Sequence, residues 1–450
     1  MQNNQKQKTI FKCGECGEEF LKWMGQCTSC RQWNSLEETK SFSAKSSLNK
    51  SASISKAVLL NDKEPQKTQK INCGLSEFNR LLGGGFTAGS VILLGGEPGV
   101  GKSTLLLCLA KKLSNILYVS GEESLTQIKE RAERLKVPFE NLKFLQENDI
   151  EAILQNLEKE NPNFVFIDSI QTVYQPGNRG FTGSVSQIRE AAQSFLEYAK
   201  KKNTVIILTG HITKDGQIAG PKLLEHAVDV VLYFENQNDG SHRFIRAVKN
   251  RFGAVGEIAI FSMNENGLVE IPAGHSLLHI NEIGGIGSVF CPQMEGSRVM
   301  PLEIQALVTP INFPNGRRIG ENIDISRIHL ISAILEKYAG YKLSQCDIFI
   351  RVRGGTSLKD AGGDLALLLA IASSYNDKAL PVNRAIAGEV SLTGKIRKPS
   401  HLNERRKALA SLGVEKALWG GEADKKITSA SINEKFYSDV SAILKDEFSK

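Results

Sequence analysis

No apolar run in the sequence is long enough to cross a membrane. The longest runs, such as LLLCLA at 105–110, are far short of the roughly 20 residues that a spanning helix needs. The opening MQNNQKQKTIF carries no apolar signal segment, so a cytoplasmic protein without a membrane partner is expected. Strong charge of one sign is also missing. A net charge of +7 over 450 residues permits a polyanionic partner without requiring one. Cysteine is scarce, eight in all, which excludes a disulfide-stapled scaffold for a chain of this length. What remains is ordinary globular material. With 41% apolar residues there is enough to bury several cores, and the length suggests about three domains.

Four of the cysteines fall in CGECGEEFLKWMGQCTSC as Cys13, Cys16, Cys27 and Cys30, two C-x2-C turns separated by ten residues. Each short turn aims two sulfurs at one point, and Zn2+ accepts four without an open position. A pair of disulfides is the competing reading, disfavoured in a reducing compartment. Four thiolates saturate the metal, so the module is expected to be structural. Cys73, Cys108, Cys291 and Cys346 stand singly among apolar residues and read as core. SFSAKSSLNKSASISK at 41–56 is too polar to bury anything and reads as a linker. Through residue 70 there are 12 Lys and Arg against 7 Asp and Glu, so five of the seven net charges sit on this module and its tether. The expected division is a zinc-binding module at 1–38, a linker at 39–70, a core domain at 71–273 and a further domain at 274–450.

From about residue 71 short apolar runs alternate with helical stretches: SVILLGG, ILYVS, FVFIDS and TVIILTG read as buried parallel strands covered on both faces. Between the first strand and the helical LLLCLAKKL lies GEPGVGKST. Gly96, Glu97, Pro98, Gly99, Val100, Gly101, Lys102 and Ser103 satisfy the phosphate-loop spacing, followed by Thr104, in the strand–loop–helix setting the motif requires. Glycines let backbone N–H groups wrap phosphate oxygens, Lys102 brings charge to the terminal phosphates of ATP, and Ser103 can hold Mg2+.

Other strand ends offer partners. Asp168 closes FVFID, where a carboxylate can join the Mg2+ shell directly or through water. Glu122 and Glu123 follow ILYVS, and one of them can orient the attacking water; Glu122 is preferred. His211 follows the fourth run, placed to sense the terminal phosphate or to serve only as a turn residue. The loop at 171–187 carries Tyr174, Arg179 and Phe181 among three glycines, and TKDGQIAGPK carries Lys214 and Lys222. Cations and aromatics on such loops can track a nucleic-acid backbone, although ordinary surface loops fit equally well. VKNRFG places Lys249 and Arg251 at the end of a late strand, which by itself describes a solvated edge.

Together these pieces resemble one family. The order of cysteine turns, GGEPGVGKST, YVSGEES, FIDSIQTV, GHITKDGQIAGPKLLEHAVD, VKNRFG and GEVSLTGKI resembles the bacterial RadA (Sms) DNA-repair family over nearly the whole chain. The resemblance implies an α/β architecture: a small N-terminal zinc-binding module, a RecA-like P-loop ATPase core, and a C-terminal Lon-protease-like α/β domain. It implies ATP, Mg2+ and Zn2+ as cofactors, and single-stranded or branched DNA and the RecA recombinase as partners. A homo-oligomeric ring, as a hexamer, processing or migrating recombination intermediates follows from the same likeness. It also assigns the loops of Tyr174 and Lys214 to DNA, and Lys249 and Arg251 to a neighbouring subunit's nucleotide.

Within the C-terminal third, EIQALVTP, DISRIHLISAILEKYAG, IFIRVRGGTSLKDAGGDLALLLAIA and GEVSLTGKIRKPSHLNER resemble the proteolytic domain of Lon. The match puts Gly362 where that family has its serine and Asn403 where it has its lysine, and neither can act in a dyad. Ser357 and Lys359 are nearby by type but lie upstream, so no peptidase is expected. The domain then reads as an assembly platform. Arg351, Arg353, Lys395, Arg397 and Lys398 either lie along DNA or form a solvated face. Two other functions compete with an ATP-driven DNA motor: an ATP-regulated protein scaffold that moves no DNA and, less favoured, an ATP-dependent peptidase.

Overall fold

Each of the four apolar runs read as strands between residues 90 and 211 is a strand in the computed structural model, which describes residues 8–13, 19–20, 22–28, 32–41, 70–176, 183–211, 221–236, 242–272, 278, 280, 283–311, 316–423 and 432–448. Two compact units result, one formed chiefly by residues up to Glu270 and the other chiefly by Ile271–Lys450.

In the first unit β1 (Val91–Gly96) leads into α1 (Lys102–Ala110), and β2 (Ile116–Ser120) into α2 (Leu125–Arg134). β3 (Leu142–Gln146), α3 (Ile150–Glu160), β4 (Phe164–Asp168), α4 (Val185–Lys202), β5 (Val205–His211) and α5 (Pro221–Ala227) continue the alternation. β6 (Val230–Asn236), β7 (His242–Asn250), β8 (Ile258–Asn264) and β9 (Gly267–Glu270) complete it. The sheet order is β9-β8-β7-β6-β1-β5-β4-β2-β3, and its six strands from β6 to β3 are parallel. β3 is an addition to the sequence reading. Its LKFLQ sits half buried at the sheet edge and lacks a continuous apolar run, so TVIILTG is the fifth strand and not the fourth.

Burial explains why these runs are strands. β1, β2 and β4 are buried at every position because helices cover both faces. Leu105, Leu107, Ile128 and Ala132 of α1 and α2 join one apolar cluster, and Ile153, Leu157, Ile188 and Phe195 of α3 and α4 join another. α1 has almost no polar face, since it is buried from Leu105 to Ala110. α2 starts on a capping box, Ser124 with Gln127, which fixes where its first turn leaves the strand end. This arrangement aligns the C-terminal ends of the parallel strands along one edge.

Ahead of this core, strands Glu19–Phe20, Lys8–Cys13 and Leu36–Ser41 form a small antiparallel sheet, the last running three residues beyond 38. The second unit holds β10 (Ser288–Glu295), β11 (Arg298–Pro310), β12 (Arg318–Glu321), α6 (Ile325–Ala339), β13 (Cys346–Arg353) and α7 (Asp364–Tyr375). β14 (Arg384–Ala387), α8 (Leu402–Ser411), β15 (Lys416–Gly420) and β16 (Asn433–Tyr437) follow. Its sheet runs β12-β13-β11-β10-β14-β15-β16. α7 is buried from Leu365 to Ser373 and anchors a core of its own. Cys73, Cys108, Cys291 and Cys346 are all buried, and burial pushes the thiols of Cys73 and Cys291 up to about 12.

Candidate active site

The loop after β1 turns sharply, with φ of 76° at Gly99 and 114° at Gly101, values an L side chain rarely adopts. It delivers Lys102 to the start of α1, buried to 5% exposure. Lys102 Nζ donates to the carbonyls of Gly96 and Glu97, each at 2.9 Å, and lies 3.3 Å from His211 Nδ1. Burial lowers its pKa, and the charges of Asp168 and Glu122 pull the other way.

Strand register assembles the rest. Gly96 of β1 lies opposite His211 of β5, and Ser120 of β2 opposite Asp168 of β4. Asp168 is 9% exposed and accepts two hydroxyls, Tyr118 Oη at 2.5 Å and Thr209 Oγ1 at 2.7 Å. Burial and the Asp168 charge raise the Tyr118 pKa far above its ordinary value, which keeps it a donor. Glu122 Oε1 accepts from Ser169 Oγ at 2.5 Å and lies 3.6 Å from His211 Nε2. Glu123 is committed elsewhere, to Arg131 through two hydrogen bonds of 2.7 and 2.9 Å. A cleft of about 440 Å³ opens among Lys102, Ser103, Glu122, Asp168, His211 and Arg134.

The sequence reading missed Tyr118, Thr209, Ser169, Arg131 and Arg134. Tyr118 and Thr209 looked like strand interior, and nothing local distinguishes them. Arg131 and Arg134 look like solvent-side charges on an amphipathic helix.

Lys249 and Arg251 are not in this cleft. Lys249 of β7 pairs with Val231, which pairs with Leu93, and Arg251 N donates to Asp229 at the start of β6. The two cations therefore sit level with the beginning of β1, roughly 10–16 Å of strand away from Gly96. Lys249 Nζ donates to the carbonyls of Glu225 (2.6 Å), Val228 (2.8 Å) and His226 (3.1 Å) where α5 ends. Arg251 Nη1 donates to Asp229 Oδ1 at 3.0 Å, with half its side chain exposed.

Tyr174 is exposed in the turn beyond Asp168. Arg179, Phe181 and Lys214 lie outside the described residues; Lys222 falls in α5 with its side chain outside them. Of the cysteine set, Cys16 and Cys30 are likewise outside. Cys13 and Cys27 are buried in one small cluster with Leu36, and Cys13 Sγ donates to Ser35 Oγ at 3.2 Å, whose own hydroxyl donates to the Gln32 carbonyl. One buried thiol from each turn fits a tetrahedral zinc site. Cys27→Ser should lower bound zinc from one per chain to near zero, measured as metal content after gel filtration; full retention would exclude this ligand set.

In the second unit Gly362 is buried, and a Cβ added there would meet Arg405 Nη2 at 3.0 Å, Pro399 Cβ at 3.1 Å and Asp360 Oδ1 at 3.2 Å. Arg405, at 0% exposure, is paired with Asp360 and donates to the carbonyls of Ser400 and Pro292. Burial, the largest single influence, would raise the Asp360 pKa, but the Arg405 charge and hydrogen bond together with the backbone N–H groups of Gly362 and Met294 hold the carboxyl below its ordinary value. A buried guanidinium thus stands beside the position matched to a nucleophile. Asn403 Oδ1 accepts from Arg406 at 3.3 Å, and Ser357 and Lys359 line a separate cavity with Arg327 and Asp364. Arg351, Arg353 and Lys395 are paired with Glu321, Glu303 and Asp439, and Arg397 is exposed.

Comparison with known proteins fits this geometry. A family model for an AAA domain matches residues 60–217, and one for a rubredoxin metal binding domain matches 11–38. The DNA repair protein RadA of Halalkalibacterium halodurans is 42% identical over 422 residues, 92% of each chain. That of Listeria monocytogenes is 42% identical over 419 residues, covering 91% of this chain and 92% of its own. That of Bacillus subtilis is 43% identical over 425 residues, again 92% of each. The chain belongs to the RadA DNA-repair family. RadA membership bears out the resemblance carried by the motifs, and with it an ATP-hydrolysing P-loop core behind a zinc ribbon. Among the described residues of this RadA-family chain, no helix is long and apolar enough to cross a membrane.

Proposed function

We propose that this RadA-family ATPase couples ATP hydrolysis to movement on single-stranded or branched DNA, driving the processing of recombination intermediates. The observation that carries the reading is the convergence of Lys102, Glu122, Asp168 and His211 on one cleft at the C-terminal edge of the sheet. The loop from Gly96 to Gly101 presents backbone N–H groups to the phosphates, and the Lys102 amine offsets their terminal charge. Ser103 and Asp168 are oxygen donors lining the same cleft, which fits a hard divalent cation. Mg2+ held there would neutralise charge developing between the outer phosphates. With both Asp168 oxygens already accepting hydroxyls, contact through a water suits it best.

Glu122 orients the attacking water, since it faces His211 and Ser169 while Glu123 is tied to Arg131. His211, bridging between Lys102 and Glu122, reports on the terminal phosphate. Lys249 and Arg251 lie at the far end of β1 and cannot reach their own cleft. In a head-to-tail ring of six they would serve the neighbour's, as cations supplied in trans. DNA would be held by the loops around Tyr174, Arg179 and Phe181 and around Lys214 and Lys222, because both follow strands that end at the nucleotide. The family likeness adds RecA as a partner and the cytoplasm as the setting. ATP turnover with and without single-stranded DNA tests the reading: a motor is stimulated, and a scaffold that moves no DNA is not.

A further inference from the structure

The chain has three tryptophans, and they are placed in two contrasting ways. Trp419 is fully buried in the second unit, whereas Trp23 and Trp33, both in the zinc-binding module, are 56% and 69% exposed. The module's own small core consists of Cys13, Cys27 and Leu36, with Phe11, Phe20 and Met24 packed against it. Neither indole fills it. Two large apolar rings left in water on so small a module mark a binding face.

The backbone brings the two rings together. Gln26 and Trp33 pair as an antiparallel bridge, Asn34 N donates to the Gly25 carbonyl at 2.8 Å, and Cys27 N donates to the Gln32 carbonyl at 2.9 Å. The segments around Gly25 and Trp33 therefore run side by side. A Cβ added at Gly25 would meet Trp33 Cζ3 at 3.7 Å and Trp23 Cη2 at 3.9 Å, so both indoles border one patch of bare backbone. A flat ligand finds two aromatic faces there. Of the residues next to the indoles in sequence, Lys22, Gln32 and Asn34 are exposed and none is acidic. The acids Glu19 and Glu37 instead flank Lys12 in the register of the small sheet.

We propose that Trp23 and Trp33 form a stacking site for the bases of single-stranded DNA, with Lys22 placed for a phosphate and Gln32 and Asn34 for base edges. Indoles stack on every base, which suits a contact that follows a strand without reading its sequence. Charge favours the same ligand. Five of the seven net positive charges of the chain lie within its first 70 residues, which draws a polyanion to this end. An apolar patch on a protein partner would cover the indoles equally well, but it would leave that basic excess without use. The choice of DNA rests on the reading above, while the site itself needs no nucleotide.

Equilibrium binding of the full chain, without nucleotide, to an oligothymidylate and to an abasic strand of equal length and charge tests this. Trp23→Ala and Trp33→Ala should each weaken the oligothymidylate about tenfold, the scale of one lost base stack, and leave the abasic strand unchanged. Phenylalanine at either position should restore binding to within about threefold of wild type, because its ring is flat, and leucine, apolar but not flat, should not. Indole fluorescence of the wild type should be quenched by the oligothymidylate, since buried Trp419 is out of reach of a base. All variants should keep one zinc per chain. Unchanged affinity in both alanine variants would overturn the proposal, as would equal loss on the abasic strand or full recovery by leucine. With no nucleotide present, such a failure leaves the ATP-coupled reading to its own test.

Discussion

Lys102→Ala should bring ATP turnover down by about three orders of magnitude while the chain stays folded, the scale of removing one preorganised charge from a phosphoryl-transfer site. The amine sits between the Gly96 and Glu97 carbonyls and within reach of His211, so no neighbouring cation occupies its place. Arg131 is paired with Glu123, and Arg134 lines the cleft from the exposed end of α2 without standing between the Gly96 and Glu97 carbonyls. Stability should change little. Burial already disfavours the charged amine, and losing it removes that cost together with the two hydrogen bonds. Phosphate release and a thermal melt on one preparation check both halves. Turnover near the wild-type rate would exclude the phosphate-loop assignment.

Arg251→Ala should leave ATP binding nearly intact and lower hydrolysis by roughly three orders of magnitude or more, as removal of an arginine finger does. The rival explanation has real support, because within one chain Arg251 is paired with Asp229 and Lys249 holds three carbonyls at the end of α5. Arg251 is the cleaner probe. Half its side chain is exposed and its loss strands one carboxylate, whereas Lys249→Ala would uncap a helix. A mixing experiment decides between the two readings. Lys102→Ala subunits keep Arg251, so in mixed rings they should partly restore turnover at Arg251→Ala subunits. Mixed rings that form and recover nothing would confine both cations to holding their own chain together.

How much of this was legible depended on whether the signal was local. VILLGG followed by EPGVGKST declares a strand, a phosphate loop and a helix within 20 residues, and the two C-x2-C turns declare themselves by spacing. Asp168 was legible as a carboxylate closing four apolar residues. The hydroxyls that aim it were not, because Tyr118 and Thr209 come from two other strands and become neighbours only through the sheet register. The choice between Glu122 and Glu123 turns on Arg131, eight residues on and facing back only once α2 has formed. β3 escaped notice because an edge strand need bury only part of itself. Arg405 was the least legible of all: in KPSHLNERRKAL it is one cation among several, yet it alone there is completely buried against Asp360.

The most direct measurement is steady-state ATP hydrolysis by the full chain with and without single-stranded DNA, with peptide release followed in parallel. A DNA-coupled motor should hydrolyse ATP several-fold faster with DNA, lose that response in Lys102→Ala, and release no peptide. An ATPase rate indifferent to DNA would contradict the coupling, and peptide release accompanying it would move the chemistry from the phosphate cleft to the second unit.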